Sequence, residues 1–313
     1  MRVYEASTAG LRSSERSRPR PGPGEVAIDV SVIALNRGES RRAVQGGFAE
    51  GFVPGWDTAG VISQLGAGVD APPVGTRVVA RGFSGGWAEC RIVHLDDTAI
   101  VPEDVDLGHA ATLATAATTA LAVLTRGGPI LGRTVLITGA SGSVGQFAIQ
   151  LARLGGAKVI AATRSWADRN FLVELGAHEV FTDLRSAPGC DLVIETLGGP
   201  SLVQATDLLN AGGTLQSVGW STGQDAAFAN FDNLTKTGGT VQGFAIGERR
   251  VGALLAQSIK LLQRGDLKTL IRTREPWNNL PAAAAAVLQP GFHGKAVLDV
   301  TNDPAKAKPS PLP

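Results

Sequence analysis

From Thr134 onward the chain alternates short apolar runs with stretches of helical spacing, and this rhythm constrains the fold more than any other feature. "TVLITG" reads as a strand, "SVGQFAIQLARLG" as a helix, "KVIAAT" as a strand and "WADRNFLVELG" as a helix. "HEVFTD" and "DLVIET" follow as strands, "PSLVQATDLLN" as a helix and "GTLQSVG" as a strand, with the strand "TVQGFAI" and the helix "RVGALLAQSIKLLQRG" further on. Strands separated by helices cannot pair as hairpins. They demand a parallel sheet with helices on its faces, so the fold class is α/β and doubly wound.

The first third has another rhythm. After the Pro/Gly lead-in "RPRPGPG", the alternating run "VAIDVSVIAL" reads as a strand, and "AGVISQLGAGV" and "TRVVARGFSGGWAECRIV" repeat short strands between glycine turns. "DLGHAATLATAATTALAVL" has the length and small-residue content of a buried helix, and "HGKAVLDV" is a lone strand expected to return to the β-rich part. The expected organisation is a β-rich domain over residues 1–118 and 266–303, an α/β domain over 119–265, and a flexible Pro-rich tail over 304–313.

The turn "TGASGSVG" carries the chemistry. Gly139, Gly142 and Gly145 follow a strand and open a helix. Gly139 permits the tight exit, Gly142 lets a pyrophosphate approach the backbone and Gly145 lets the helix pack closely on the sheet. Ser141, Ser143 and Val144 share this turn, where the helix N-terminus offers N–H groups to an anion. A small-residue turn without ligand is the bland alternative. With strands on both sides of the helix, the pattern reads as a Rossmann dinucleotide site. The second strand ends "AATRSWADR", with no acid at the turn to hold a ribose 2′-hydroxyl. Arg164 is placed to meet a 2′-phosphate, with Ser165 as a donor and Arg169 as a second cation, which favours NADPH over NADH. The alternative for Arg164 is a solvated surface arginine.

Composition removes other classes. A net charge of +1 gives no electrostatic case for nucleic acid or an anionic membrane. Two cysteines exclude a disulfide framework and a four-cysteine zinc site, and the four histidines show no ligand spacing. The N-terminus lacks the apolar core of a signal peptide, no run is expected to reach the apolar length of a membrane helix, and the default expectation is a cytoplasmic protein.

Taken in order, these segments resemble the zinc-free, quinone oxidoreductase-like branch of the medium-chain dehydrogenase/reductase superfamily. The resemblance rests on "PRPGPGEVAIDVSVIALNRGES", "VPGWDTAGVISQLGAGV", "VGTRVVA" (with Thr76 in place of an Asp), "GGWAECRIV", "AATLATAATTAL", "VLITGASGSVG", "DLVIETLGG" and "GGTLQSVG", and it runs from "VYEAST" to "HGKAVLDV". It implies a GroES-like catalytic domain built from both chain ends beside the Rossmann domain, and a homodimer joined edge to edge through "TVQGFAI". Where zinc-dependent relatives carry a Cys and a Gly-His-Glu block, this chain reads "ALNRGES" and "PGWDTAG", so no metal is expected.

The resemblance also implies site residues. Asn36 corresponds to an asparagine near the nicotinamide and is the one catalytic candidate, the alternative being that its amide only caps a turn. Thr119 corresponds to a threonine beside the carboxamide. Gly219, Trp220, Gly243 and Ala245 border the cofactor, and Lys295 reaches cofactor or only solvent. Trp56, Asp57, Trp87 and Phe244 are expected to line the substrate pocket, with a core role open for the two tryptophans and a backbone-bonding role for Asp57. The implied reaction is hydride transfer from NADPH to a quinone or an activated C=C of an enone. With Tyr4 as the only tyrosine, no dedicated phenolic proton donor is expected. The alternatives are a specialised secondary-metabolism enzyme, such as a trans-acting enoyl reductase or a reductive cyclase, and a non-enzymatic NADPH-binding protein.

Overall fold

A computed structural model describes residues 1–8, 10–247 and 250–300. The expected tail over 304–313 lies outside the described residues. In chain order the elements are β1 (Arg2–Ser7), β2 (Gly10–Glu15), β3 (Glu25–Ala34), α1 (Arg37–Val44), β4 (Asp57–Leu65), β5 (Arg77–Arg81), β6 (Cys90–His94), β7 (Thr98–Ile100) and α2 (Leu107–Arg126). Then come β8 (Thr134–Ile137), α3 (Ser143–Leu154), β9 (Lys158–Ala162), α4 (Arg169–Glu174), β10 (Glu179–Phe181), β11 (Cys190–Glu195), α5 (Gly199–Thr206), β12 (Leu209–Ser217), α6 (Asp232–Thr237) and β13 (Thr240–Gly243). The chain closes with α7 (Gly252–Gln263), β14 (Ile271–Pro276), α8 (Leu280–Ala286) and β15 (Lys295–Asp299).

The chain divides into two compact units. One comprises residues 1–118 with, among the described residues, 250–265 and 269–300; the other comprises Thr119–Gly247 and Asp266–Lys268. The break falls within α2, between Thr118 and Thr119. The later expected boundary does not hold, because α7 belongs to the first unit. Arg250 donates to Asp97 at 2.7 Å, and Gln263 donates to Asp104 at 3.0 Å. Gly252 packs so tightly that a Cβ there would lie 2.6 Å from the Asp96 carbonyl oxygen.

The first unit is β-rich, as expected. Its main sheet runs β14-β15-β3-β4-β5-β7, with β6 on β3, and every pairing except β14 with β15 is antiparallel. The lone strand β15 does return to β3, pairing Val297 with Ala34. Gly60 allows the irregular β3–β4 register, since a Cβ there would sit 2.0 Å from the Asp29 carbonyl oxygen. Among the described residues, apolar clusters of this unit gather around Val26, Ile28, Ile62 and Val78 and around Tyr4, Trp87, Trp277 and Leu298.

The second unit is a six-stranded, wholly parallel sheet in the order β10-β9-β8-β11-β12-β13. Sequence order reverses between β8 and β11, and in such sheets the crevice beyond the strand ends at that point is where a dinucleotide binds. Leu136, Ile160, Val193 and Leu215 form the core beneath it. One expectation is corrected here: α2 is 20 residues long and apolar enough, by length and composition, to cross a bilayer. Its most apolar window is 72% buried inside the protein, which is how a core helix passes that test.

Candidate functional site

In the second unit the three glycines differ in conformation and packing. Gly139 has φ +57°, and a Cβ there would strike the Thr196 hydroxyl at 2.3 Å. Gly142 is the N-cap of α3, exposed and extended at φ −77°. Gly145 is buried, and a Cβ there would lie 2.6 Å from the Gly139 carbonyl oxygen and 2.7 Å from the Ala140 Cα. Ser141, Ser143 and Val144 are partly exposed on the same turn, where the first N–H groups of α3 have no earlier helical carbonyl to bond. The Gln146 amide donates to the Ser141 carbonyl at 2.7 Å and steadies the loop.

Residues that the sequence reading missed lace this strand end to its neighbour. Glu195, fully buried at the end of β11, accepts from the Thr138 hydroxyl at 3.1 Å and from the N–H groups of Leu197 and Gly198 at 3.0 and 2.9 Å. Thr196 donates its N–H to the Thr138 hydroxyl and its own hydroxyl to the Thr138 carbonyl. An acid closing the apolar run "DLVIE" was the available signal. The switch point is therefore held by side chains that bond to one another.

The turn after β9 holds the residues singled out for the ribose phosphate. Arg164 is exposed and makes no ion pair with any described residue. Ser165 caps the following turn, accepting from the Ala167 N–H, and the Arg169 guanidinium lies 5.6 Å from the Trp166 ring centre. The nearest acid in sequence, Asp168, is buried and accepts from the Thr163 hydroxyl at 2.5 Å. The turn thus presents two cations outward while its acid is turned inward.

Other expected cofactor residues in this unit divide into packed and open ones. Thr119 is buried, and its hydroxyl makes no hydrogen bond among the described residues, whereas Thr118 and Thr125 bond back to carbonyls of their own helix. Gly219 packs on the Thr196 carbonyl, which a Cβ would meet at 2.5 Å, and the exposed Trp220 donates to the Gln224 carbonyl. The Gly243 carbonyl accepts from Arg126 at 3.0 Å, and Ala245 is exposed. Phe244 is buried just beyond β13, with the Arg126 guanidinium 5.9 Å from its ring centre.

In the first unit a buried polar network gathers Asn36, Glu39, Asp57, Thr115 and Lys295. Lys295 Nζ donates to Asn36 Oδ1 at 2.7 Å and to Asp57 Oδ2 at 3.1 Å. Asn36 Nδ2 donates to Asp57 Oδ2 at 2.8 Å, and Thr115 donates to Asp57 Oδ1. Glu39 closes a capping motif at the start of α1: its Oε1 accepts the Asn36 N–H at 3.0 Å and its Oε2 accepts the Trp56 N–H at 2.6 Å. Burial and the neighbouring Asp57 push the Glu39 carboxyl up to about 8. Asparagine followed three residues later by glutamate was the signal that could have found Glu39.

These contacts correct three expectations. Lys295 is only 2% exposed, and its ammonium is spent on Asn36 and Asp57 rather than on solvent or cofactor. Asp57 bonds side chains, not backbone. Trp87 is fully buried among Tyr4, Trp277 and Leu298, so it is a core residue and not a pocket wall. Trp56 is half-buried and stands edge-on to Phe83, with ring centres 5.8 Å apart. The Asn36 amide has both ends committed, which makes it a structural joint of the network.

Among the described residues, no three of His, Cys, Asp and Glu come together as a metal site. Where such ligands would be sought, the partners of Asp57 are an amide, a hydroxyl and an ammonium, and the donor set does not fit zinc.

The comparisons with known proteins fit this geometry. Residues 22–125 match the family "Alcohol dehydrogenase GroES-like domain", and residues 143–263 match "Zinc-binding dehydrogenase". The chain is 32% identical over 219 residues to the quinone oxidoreductase of Rattus norvegicus, covering 64% of this chain and 66% of the relative. It is 30% identical over 294 residues to erythronolide synthase EryA2 of Saccharopolyspora erythraea, covering 88% of this chain and 8% of the relative. Among solved structures, a cobalt- and zinc-bound thermostable alcohol dehydrogenase from Pyrobaculum aerophilum superposes with a TM-score of 0.84 at 27% identity, covering 96% of this chain and 99% of that one. The chain spans less than two thirds of the length of the quinone oxidoreductases it matches, 66% for that of Rattus norvegicus and 55% for that of Sus scrofa. With both domain types, the strand order and the glycine turn in place, the chain belongs to the medium-chain dehydrogenase/reductase superfamily, in its quinone oxidoreductase-like branch.

Proposed function

We propose that the protein is a zinc-independent, NADPH-dependent oxidoreductase that reduces a quinone or the activated C=C of an α,β-unsaturated carbonyl. The observation that carries the reading is the exposed Arg164 at the end of β9, without an ion pair among the described residues, beside a glycine turn of the kind that accepts a dinucleotide pyrophosphate. Bound nicotinamide supplies the hydride. The first turn of α3 would hold the pyrophosphate, Arg164 and Arg169 would hold the 2′-phosphate, and the Thr119 hydroxyl, unengaged among the described residues, would be available to orient the carboxamide. The Lys295–Asp57–Asn36 network keeps charge buried and fixed instead of supplying a Lewis acid. Tyr4 donates to the Asn278 carbonyl inside the core, so solvent is the proton source for the reduced substrate.

The name of the rat relative supports a quinone acceptor. A second reading, an enoyl reductase of secondary metabolism, draws support from the 88% of this chain that aligns with EryA2. NADPH oxidation over a panel of quinones, enones and enoyl thioesters separates the two, and a protein that binds NADPH yet turns over none of them is a non-enzymatic relative. We also read β13 as a dimer edge. It ends the sheet, it exposes Val241, and pairing with its symmetry mate would cover its free backbone groups. Light scattering tests this, with a dimer expected and a monomer opposing it.

A further inference from the structure

Trp56 and Phe83 flank the same end of the main sheet in the first unit. Trp56 immediately precedes β4, Phe83 follows the last residue of β5 by two positions, and the antiparallel register pairs Asp57 with Arg81. The two rings stand at 78° to one another with centres 5.8 Å apart, so they form a corner and not a stack. Phe83 is 42% exposed and Trp56 is half-buried, which gives the corner surface that a small molecule can reach.

Both rings are held in place from behind. The Trp56 N–H donates to Glu39 Oε2 at 2.6 Å, and the Trp56 carbonyl accepts from Arg91 Nη1 at 2.8 Å and from the Gly82 N–H at 3.0 Å. The indole lies against α1 where Gly38 has no side chain, since a Cβ there would be 2.8 Å from Trp56 Cη2. The guanidinium of the buried Arg81 covers Phe83 at 4.5 Å from its ring centre. Rings fixed in this way lose little freedom when a ligand arrives. Two flat walls near a right angle suit a flat ring, which stacks on one wall and meets the edge of the other, whereas a puckered ring lies flat on neither.

We propose that Trp56 and Phe83 form an aromatic corner that receives a flat conjugated ring, so that the acceptor is a ring quinone or an aryl enone and not an aliphatic enoyl chain. Phe83, which the sequence reading did not single out, is then a specificity-determining residue. The term acceptor rests on the reductase reading above, whereas recognition of the ring does not.

Calorimetric titration of the cofactor-free protein with benzalacetone and with its cyclohexyl counterpart tests the corner without turnover. The two compounds share the enone and the carbon count and differ in whether the ring is flat. The expected result is about three- to tenfold tighter binding of benzalacetone, although the cyclohexyl compound is the more apolar. Phe83→Leu and Trp56→Leu should each cut that preference to about twofold or less, and Phe83→Tyr should keep it because the ring remains. Phe83 is exposed, so its replacement leaves the core intact. Equal binding of the two compounds by the wild-type protein, or no binding of benzalacetone, overturns the proposal, and so does a preference that survives both leucine variants. NADPH oxidation with the same two compounds reports on the reductase reading separately. A protein that prefers benzalacetone yet oxidises no NADPH keeps the corner and loses that reading, whereas turnover of both with equal binding and equal kcat/KM does the reverse.

Discussion

Lys295 Nζ lies 3.1 Å from Asp57 Oδ2, and both side chains are buried, one in the last strand of the first unit and the other at the start of β4. Neither charge is stable there without the other, because desolvation of a lone buried ion costs several kcal/mol. Lys295→Met should therefore destabilise the protein by about 3–5 kcal/mol, by stranding Asp57. The double variant Lys295→Met/Asp57→Asn should recover part of that loss. Urea unfolding checks this, and a double variant no more stable than the single one would refute the coupling.

Glu39 should make stability depend on pH. Its carboxyl is raised from 4.5 to about 8, first by burial and then by Asp57, so between those values the folded state holds a proton that the unfolded chain has released. Stability from this group is full below about pH 4.5 and is lost as pH rises through about 8. The slope is at most about 1.4 kcal/mol per pH unit. Thermal unfolding across this range should show Tm falling in the wild type and a flatter profile in Glu39→Gln. Parallel profiles would place the proton elsewhere.

The glycines of the turn should separate folding from binding. Gly142 has an ordinary extended backbone, and a Cβ there meets only the Gly139 carbonyl at 3.1 Å. Gly142→Ala should fold with a near-native Tm yet bind NADPH about tenfold or more weakly. Gly145→Ala puts a methyl 2.6 Å from a backbone oxygen and should lower Tm as well. Equal NADPH affinity for Gly142→Ala and wild type, by fluorescence titration, would contradict the assigned cradle.

The glycine turn was legible as structure because it is written in local spacing: strand, three glycines and helix are contiguous in the chain. The parallel sheet was legible for the same reason. The role of Lys295 was not, since it pairs with residues 259 and 238 positions away. Nor was the allegiance of α7, which depends on distant contacts to Asp97 and Asp104. Helix α1 escaped because "RGESRRAV" is short and polar, and α8 because five consecutive alanines carry no periodicity. Trp87 could not be placed by type alone, because tryptophan serves cores and pockets alike.

Arg164 should set the choice of nicotinamide. Arg164→Ala should weaken NADPH by about tenfold or more, the worth of a charge-assisted hydrogen bond, and leave NADH nearly unchanged. Equal losses for both cofactors would mean that Arg164 does not meet the 2′-phosphate.

The central claim is an NADPH-dependent reductase of conjugated acceptors that needs no zinc. The most direct measurement is NADPH and NADH oxidation with a quinone acceptor by protein that has been exhaustively chelated and assayed for metal. The account predicts undiminished turnover, faster with NADPH, in protein without stoichiometric zinc. Activity that disappears with bound zinc and returns when zinc is restored would contradict it.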